Sequence, residues 1–376
     1  MGAGGGLRSL VLAMKLPFPS RGGGDLRTAQ TVDALARLGP VEVVAPAGRD
    51  PAAEPPLAWL RDPLGHPAER WFTRADAEEV ARIGRELKPH VAVLEMLWLH
   101  RYIDVVRELG CKLVLNAHNL EGSMYEELAA ARGDAASAKA AERARAIESV
   151  AFTAVDQVWL CSERDAARVE TAGLRDGGLA VVPNAVDVSR YEHLERDEEP
   201  ATLLYPANYA YPPNRTAARR LLEIFPAFAE RVRDARLVLL GDRPTADMRE
   251  ASARDARIEV TGPVDDSLPF LASATVMPVP LVEGGGTRLK VLEAFAAGLP
   301  VVSTAKGVEG LDVVAGEHYV AAESNDDFVS ALAHLCSDRA ARVRLTDRGR
   351  QLVRERYSWD AARVAIADAL KELGVL

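Results

Sequence analysis

Short apolar runs alternate with longer amphipathic stretches along most of the chain. The runs are apolar throughout rather than at every second position, which is typical of strands in a parallel sheet covered on both faces. They predict strands at 9–14, 41–46, 91–95, 112–116, 157–161, 179–183, 202–206, 236–241, 258–262, 276–280, 299–304 and 318–322. Helical patterns lie between them, for example over 25–38 and 76–87. This alternation predicts an α/β protein with parallel sheets.

The strands fall into two series, which predicts two Rossmann-like domains with a cleft between them. A charged segment with a proline at each end, PNAVDVSRYEHLERDEEP (183–200), separates the series. The predicted division is an N-terminal domain over 1–183, a linker over 184–200, a C-terminal domain over 201–358 and a terminal helix over 359–376. That helix either packs back on the N-terminal domain or belongs to the C-terminal domain, and both possibilities stay open. The Ala-rich stretch 130–146 predicts one long helix.

Composition excludes several classes of protein. The 376 residues carry a formal net charge of −9, which argues against a broad nucleic-acid-binding surface. The three cysteines lie far apart, which excludes a disulfide framework and a zinc ribbon and indicates a reducing compartment. No apolar run approaches the roughly 20 residues of a membrane span, and the apolar N-terminal run fits a first strand better than a signal peptide. We expect a cytoplasmic protein, with peripheral attachment to a membrane left open.

The most informative segment is VEGGGTRLKVLEAFAAGLPVVSTAKGVEG (282–310). Three glycines follow a strand and Glu283, a helix is predicted over 287–297, and Gly298 suits its C-terminal cap. A glycine-rich turn at a helix N-terminus favours anions, because backbone N–H groups and the helix dipole face the ligand. Thr287, Arg288 and Lys290 add a hydroxyl and two cations, a set suited to a diphosphate.

Glu293 strengthens this interpretation. It shares a helix face with Leu289, Ala296 and Ala297, where a carboxylate is costly unless donors surround it. Ribose or sugar hydroxyls would supply those donors. The alternative is a purely structural turn, with Glu293 paired to Lys290 at a wet surface.

Three further groups follow predicted strands, where ligands bind in open α/β sheets. Three glycines (Gly22, Gly23 and Gly24) follow the first strand, and Asp25 is a candidate N-cap for the next helix; a flexible loop is the alternative. His118 follows the strand at 112–116, and a structural histidine is the alternative. Asn208, Tyr209 and Asn214 follow the first strand of the second series. They line the cleft, or they lead into a helix with Asn214 as N-cap. Trp98 and Tyr102 either stack on an acceptor ring or fill the core.

The segment GGGTRLKVLEAFAAGLPVVST, followed by GVEGL, resembles the C-terminal signature of group-1 (family 4) retaining glycosyltransferases with the GT-B fold. AHNLEG (117–122), LCSERDA (160–166), VVPNAVD (181–187), YPANYAYPPNRTAARRL (205–221) and VTGPVDD (260–266) extend the resemblance over most of the chain. It implies a hexosyl-type transferase that moves a sugar from a nucleotide diphospho-sugar donor to an acceptor hydroxyl, with retention. The acceptor would be a small molecule, a glycan or a lipid-linked molecule. No metal and no separate cofactor is expected.

The resemblance also implies roles for residues. Glu293 matches the glutamate that holds the donor ribose, and Gly285, Gly286 and Thr287 fall in the sugar-diphosphate loop. His118 matches the histidine beside the donor sugar, and the loop at Gly22–Gly24 approaches the reaction centre. Asn208 and Tyr209 are further donor-binding candidates.

The chain departs from the family pattern at two places. Gly285 stands where a first glutamate is usual, with Glu283 as the nearest one, and the usual Arg and Lys pair is missing at 207–210. We hypothesise that Arg288 or Lys290 supplies the missing charge, so the catalytic candidates are His118, Glu283, Arg288 and Lys290.

Two alternatives remain open: a sugar-nucleotide epimerase, which would need no acceptor, and a non-catalytic nucleotide-sugar-binding protein. A nicotinamide dehydrogenase is weakened by the lack of a GxGxxG fingerprint. Asp-x-Asp, HExxH and GxSxG motifs are also missing from the sequence.

Overall fold

The computed structural model describes residues 6–18, 23–46, 71–196, 201–286 and 288–376. Within them the chain forms two compact units. The first comprises Met1–Asn184, Gly285–Thr287 and Trp359–Leu376, and the second comprises Ala185–Gly284 and Arg288–Ser358.

The first unit is built on a six-stranded parallel sheet with the order β2-β1-β3-β4-β5-β6. Its strands are Ser9–Leu12 (β1), Val41–Val44 (β2), Val91–Glu95 (β3), Lys112–Asn116 (β4), Gln157–Leu160 (β5) and Leu179–Val181 (β6). Its α-helices are Gly23–Ala36 (α1), Arg74–Leu87 (α2), Ile103–Arg107 (α3), Glu121–Arg132 (α4), Ala135–Ala154 (α5), Glu163–Thr171 (α6) and, at the C-terminus, Trp359–Glu372 (α13). A 3-10 helix covers Leu97–Tyr102.

The second unit holds two three-stranded parallel sheets, with the orders β7-β8-β9 and β10-β11-β12. The strands are Thr202–Pro206 (β7), Arg236–Leu240 (β8), Ile258–Gly262 (β9), Met277–Val279 (β10), Val301–Ser303 (β11) and Val320–Ala321 (β12). The α-helices are Pro212–Arg231 (α7), Ala246–Arg254 (α8), Leu268–Ser273 (α9), Leu289–Ala297 (α10), Asn325–Ser337 (α11) and Arg339–Arg356 (α12). Val188–Tyr191 and Lys306–Val308 form 3-10 helices. A parallel bridge between Leu203 and Val276 places β7 beside the chain that enters β10.

Both faces of the first sheet are covered, as uniformly apolar strands require. Leu10 and Leu12 of β1 point into one apolar cluster, and Val11 points into another. The prediction of an α/β protein with parallel sheets is therefore confirmed. Trp98 and Tyr102 are buried in the first of these clusters, and the Tyr102 hydroxyl donates to the Trp71 carbonyl at 2.7 Å. They fill the core rather than present a surface to an acceptor ring.

Several predicted element boundaries need correction. The Ala-rich stretch forms two helices instead of one, because Gly133 takes a left-handed conformation (φ 67°) and Asp134 caps the second helix by accepting from the Ser137 N–H. Helix α1 begins at Gly23, so Asp25 lies in its first turn rather than at the N-cap. Asn214 is not an N-cap either, since α7 starts at Pro212 with Tyr211 in that position.

Helix α10 is shorter than predicted. It begins at Leu289 rather than at 287, with Arg288 as its N-cap residue. Its end agrees with the prediction: Gly298 adopts the left-handed conformation (φ 70°) and its N–H bonds the carbonyls of the last turn.

The strand order locates the regions where ligands bind in such sheets. The order reverses between β1 and β3 in the first unit and between β7 and β10 in the second. Ligands of open α/β sheets bind beyond the carboxyl ends of the strands at these reversals. In the first unit that region receives Glu95 at the end of β3, and in the second it receives the residues after β7 and β10.

Candidate functional site

In the first unit, a buried hydrogen bond holds His118 at the carboxyl edge of the sheet. His118 follows β4, and its Nε2 lies 2.6 Å from Oε2 of Glu95, the last residue of the neighbouring strand β3. Both side chains are buried, with exposed fractions of 6% for His118 and 1% for Glu95. The Cys161 thiol donates to the His118 carbonyl at 3.2 Å, which helps to hold the backbone of this turn.

A buried arginine completes the network. Arg27 on α1 is 1% exposed and donates through Nε and Nη2 to Oδ1 of Asn116, at 3.0 and 2.6 Å. Asn116 in turn donates from Nδ2 to both carboxylate oxygens of Glu95 at 3.1 Å. A single amide thus links a buried cation to a buried anion, which offsets part of the cost of removing both charges from water.

The second ring nitrogen of His118, Nδ1, is buried beside helix α1. Within the described residues, the buried Nδ1 has no hydrogen-bond partner, and it lies near Gly24, where an added Cβ would stand 3.9 Å away. Burial lowers the pKa of His118, while the Glu95 carboxylate opposes that shift. Gly23 is the first residue of α1, and Gly22 lies outside the described residues. The structure therefore brings His118 and Gly24 together.

The glycine turn that precedes α10 has an unusual backbone. Gly284 and Gly286 have positive φ angles of 98° and 81°, and a Cβ on Gly284 would lie 2.8 Å from Pro213 Cγ and 2.9 Å from the Tyr211 hydroxyl. Only glycine therefore fits at position 284 without a shift of its neighbours. Gly285 sits between these two residues, and Thr287 lies outside the described residues.

Arg288 is used to hold this turn. It is buried, with 6% of its side chain exposed, and its Nη2 donates to the Gly284 carbonyl at 2.7 Å while its Nε donates to the Lys306 carbonyl at 3.3 Å. These bonds tie the turn to the 3-10 helix that follows β11. Its guanidinium thereby brings a positive charge to the turn.

Lys290 and Glu293 are the two polar side chains of α10, and each has its own partner. Lys290 Nζ donates to Asn214 Oδ1 at 3.1 Å and lies 4.1 Å from the centroid of the Tyr205 ring. Glu293 Oε1 accepts from the Tyr191 hydroxyl at 3.3 Å. Glu293 is partly buried. The alternative of a pair with Lys290 at a wet surface required its side chain to point into open solvent, which it does not do.

Burial sets the protonation of both groups. It raises the pKa of Glu293, against the opposing effects of Tyr191, Arg190 and Lys290. For Lys290, burial together with the charge of Arg288 lowers the pKa to about 7. The Glu293 carboxyl group opposes this shift, and a buried lysine beside an arginine is an environment that an anionic ligand would stabilise further.

The catalytic candidate Glu283 and the donor-binding candidates Asn208 and Tyr209 have local partners. Glu283 Oε1 accepts from the Thr216 hydroxyl at 2.8 Å. Asn208 uses its Oδ1 for the Ala210 N–H at 2.9 Å, and the Tyr209 side chain is buried with its hydroxyl on the Tyr205 carbonyl at 3.1 Å. Tyr209 therefore shapes the strand end from inside the core and presents no hydroxyl to a ligand, contrary to expectation.

Sequence reasoning missed Glu95, Asn116, Arg27 and Tyr191. A signal for two of them was present, because Glu95 and Asn116 are polar residues that follow apolar runs at the carboxyl ends of two strands. Carboxyl ends of adjacent parallel strands meet at one edge. Arg27 and Tyr191 lie in helical segments, and their periodicity alone does not distinguish them from solvated side chains.

Two further findings concern metal sites and membrane-spanning helices. Within the described ranges, no group of three or more His, Cys, Asp and Glu side chains is arranged to hold a metal ion. In the same part of the chain, no helix combines the length and the apolar character needed to cross a bilayer.

Comparison with known solved structures supports the fold. The chain is similar to sucrose-phosphate synthase from Thermosynechococcus elongatus, at 18% identity and a TM-score of 0.71, over 98% of this chain and 99% of that one. It is also similar to Anabaena HepE in complex with UDP, at 13% identity and a TM-score of 0.68, over 98% of this chain and 100% of the other. A glycosyltransferase from Rickettsia africae gives 12% identity and a TM-score of 0.70, with 98% of each chain covered. Among curated proteins, no significant sequence match is found.

Two family profiles match different parts of the chain. The profile of Glycosyltransferase Family 4 covers residues 21–190, and the profile described as Glycosyl transferases group 1 covers residues 200–338. The first match includes the His118 network, and the second includes the glycine turn and Glu293. The chain therefore belongs to the group-1, family 4 glycosyltransferases of the GT-B fold and is a glycosyltransferase.

Proposed function

We propose that this glycosyltransferase uses a nucleoside diphospho-sugar as donor and transfers a hexosyl-type sugar to an acceptor hydroxyl. The observation that carries the proposal is the pair of features on α10: a glycine turn with two positive φ angles before the helix, and the partly buried carboxyl group of Glu293 within it. Anabaena HepE, which is similar in fold, is described in complex with UDP-glucose, and this supports a donor of that class.

The glycine turn would receive the diphosphate. Backbone N–H groups at a helix N-terminus and the helix dipole favour an anion, and Arg288 and Lys290 add positive charge near that end of α10. We propose that these groups stabilise the departing diphosphate without a metal ion.

Glu293 would hold the ribose. Among the described residues, this partly buried carboxylate accepts one long hydrogen bond, from Tyr191, and it has acceptor capacity left for two neighbouring hydroxyl groups. The cost of its burial would fall once those hydroxyls donate to it.

We further propose that transfer proceeds with retention, as in the family that the sequence resembles. As the bond from the sugar C1 to the diphosphate oxygen breaks, the acceptor oxygen bonds to C1 on the same face, and its proton moves to a phosphate oxygen. The chain then supplies no nucleophile of its own. The phosphate would accept the proton, and the imidazole side chain of His118 would orient the reacting groups.

A two-stage experiment tests this function. Thermal unfolding is measured with a panel of nucleoside diphospho-sugars at millimolar concentration, and the donor that stabilises the protein is then incubated with candidate glycan, small-molecule and lipid-linked acceptors. We expect one donor to raise Tm, since a ligand at 100 times its Kd adds about 2.7 kcal/mol. We also expect a product heavier than the acceptor by one hexosyl residue, formed equally in the presence of EDTA.

Other outcomes identify the alternatives. An isomerised sugar nucleotide formed without acceptor would indicate an epimerase. Donor binding with no turnover on any acceptor, unchanged by His118→Ala, would indicate a binding protein. An activity abolished by EDTA would contradict the metal-independent part of the proposal.

A further inference from the structure

The chemical state of His118 can be deduced from the groups around Glu95. The Glu95 carboxylate receives hydrogen bonds from the Thr28 hydroxyl at 3.2 Å and from Asn116 Nδ2 at 3.1 Å. The Asn116 amide cannot be reversed, because Arg27 donates two hydrogen bonds to its Oδ1. The amide NH2 must therefore face Glu95, and a buried arginine cation lies just beyond it.

This surrounding favours an ionised Glu95. Asn116 Nδ2 is a donor, the Thr28 hydroxyl also donates, and an anion is the form that best accepts from both. The contact of 2.6 Å between Glu95 Oε2 and His118 Nε2 then requires a hydrogen on Nε2. In a neutral imidazole, a hydrogen on Nε2 leaves Nδ1 with a lone pair.

Nδ1 of His118 is placed so that its lone pair can accept a hydrogen bond from a ligand. Nδ1 is buried, and among the described residues it has no partner. It is next to Gly24 in the first turn of α1. A Cβ added to Gly24 would lie 3.9 Å from Nδ1, and glycine places no side chain there. A buried acceptor without a donor costs free energy, which a donor from a ligand would recover.

We infer that Glu95 is a positioning residue, which fixes the Nε2–H tautomer of His118 so that Nδ1 accepts a hydrogen bond from a sugar hydroxyl of the substrate. This inference rests on the proposed function for the identity of the ligand, and on the geometry of the first unit for the tautomer. His118 acts as a neutral acceptor and not as a cation toward the phosphates. The lowered pKa of the buried imidazole agrees with that role.

Glu95→Leu is the critical variant, because it removes the acceptor of the Nε2 hydrogen. Asn116 Nδ2 lies 3.1 Å from both carboxylate oxygens, so a glutamine could hold its carbonyl at either position and would not decide the tautomer. A leucine accepts from neither His118 nor Thr28, and Asn116 Nδ2 keeps the Thr31 hydroxyl at 3.1 Å. The hydrogen of the imidazole is then no longer held on Nε2, and in the fraction that carries it on Nδ1 this nitrogen no longer accepts from the substrate.

The tautomer is measured by 15N NMR of histidine-labelled protein at pH 7.5, with the His118 signals assigned from their loss in His118→Asn. We expect wild-type His118 to be neutral with its hydrogen on Nε2, and Glu95→Leu to show a mixture of the two neutral tautomers; a variant that keeps the pure Nε2–H form would show that Glu95 does not fix the tautomer. Glu148→Gln serves as the matched control, because Glu148 is another buried glutamate of the same unit, 2% exposed. It should leave the His118 signals unchanged. A wild-type imidazole with its hydrogen on Nδ1, or one that is doubly protonated, overturns the inference even if the Glu95 variant does not fold.

Turnover provides the second readout. With the donor found in the screen, Glu95→Leu should lower kcat by about tenfold to a hundredfold, the order expected when a hydrogen bond to the substrate is lost and its buried partner stays unpaired, with little change in the donor KM. Unchanged kcat together with an unchanged tautomer would refute the inference while leaving the glycosyltransferase proposal standing. If no donor is turned over by wild-type protein, the proposed function fails, and the tautomer measurement still decides whether Glu95 sets the state of His118.

Discussion

At the scale of single residues, burial decides which charges the protein holds before a ligand arrives. Lys290 combines an amide partner, an aromatic face and a neighbouring arginine. Burial and the charge of Arg288 lower its pKa to about 7, so the side chain is only half protonated at neutral pH. A bound diphosphate would favour the protonated form and raise this pKa.

Donor affinity should therefore depend on pH through Lys290. Binding takes up a proton above the pKa of the ligand-free lysine, so the Kd of a nucleoside diphosphate should rise between pH 7 and 9, by at most about tenfold per pH unit. Calorimetric titration at several pH values measures this slope.

Lys290→Arg is the matched control for that slope, because a guanidinium stays charged over the whole range. The variant should bind with a Kd that hardly changes between pH 7 and 9. Equal slopes in the two proteins would show that Lys290 does not contact the phosphates.

At the scale of elements, helices α4 and α5 pack closely around two buried carboxyl groups. A Cβ on Gly122 would lie 2.8 Å from Glu148 Oε2, so the glycine permits the contact between the helices. Burial raises the pKa of Glu148 to about 7 and that of Glu121 to about 8. Glu148 also accepts from the backbone N–H groups of Gly122 and Glu121, which partly offsets this rise.

Glu148→Gln should stabilise the protein at high pH. The pKa of Glu148 is higher in the folded than in the unfolded state, so its contribution is fully present below about pH 4.5 and is lost as pH rises through about 7. A neutral amide avoids this loss. We expect the variant to exceed wild type by at most about 3 kcal/mol at pH 8, with the difference shrinking toward pH 5. Urea unfolding at the two pH values measures this difference. A variant that is less stable than wild type by the same amount at both pH values would contradict a raised pKa of Glu148.

The element pattern was largely predictable from the sequence, and the site was only partly so. Each predicted strand is present, because continuous apolar runs between helical patterns leave few other folds. The break at Gly133 was missed because high helix propensity on both sides concealed one left-handed residue. The partial burial of Glu293 could be predicted from its apolar helix face, whereas the burial of Arg27 could not. Its partners Asn116 and Asn184 are distant in sequence, and only the tertiary fold brings them together.

At the scale of the whole molecule, the C-terminal helix returns to the first unit. Ile366, Ala369 and Leu370 of α13 are buried in the cluster that contains Val11 and Trp159. Gln157 on β5 donates from Nε2 to the Ala369 carbonyl at 3.1 Å. Arg363 Nε pairs with Asp33 of α1 at 2.6 Å. We propose that the helix at the end of the chain is an integral part of the N-terminal fold.

Two substitutions on this helix test that proposal. Ile366→Ala should destabilise the protein by about 2–5 kcal/mol, because it removes a buried side chain from the core of the first unit. Val364→Ala, on a side chain that is 61% exposed, should change stability by less than about 0.5 kcal/mol. Similar small effects for both, in chemical unfolding followed by tryptophan fluorescence, would show that the helix is not packed as described.

The central claim is that Glu293 binds the ribose of a nucleotide donor whose diphosphate lies at the glycine turn. A double-mutant cycle tests it most directly: calorimetry measures the binding of the nucleoside diphosphate selected in the screen and of its 2′,3′-dideoxy analogue, each to wild type and to Glu293→Ala. The account predicts a coupling of about 1.5–3 kcal/mol between the carboxylate and the ribose hydroxyls. A coupling near zero, with both ligands losing the same affinity in the variant, would contradict it.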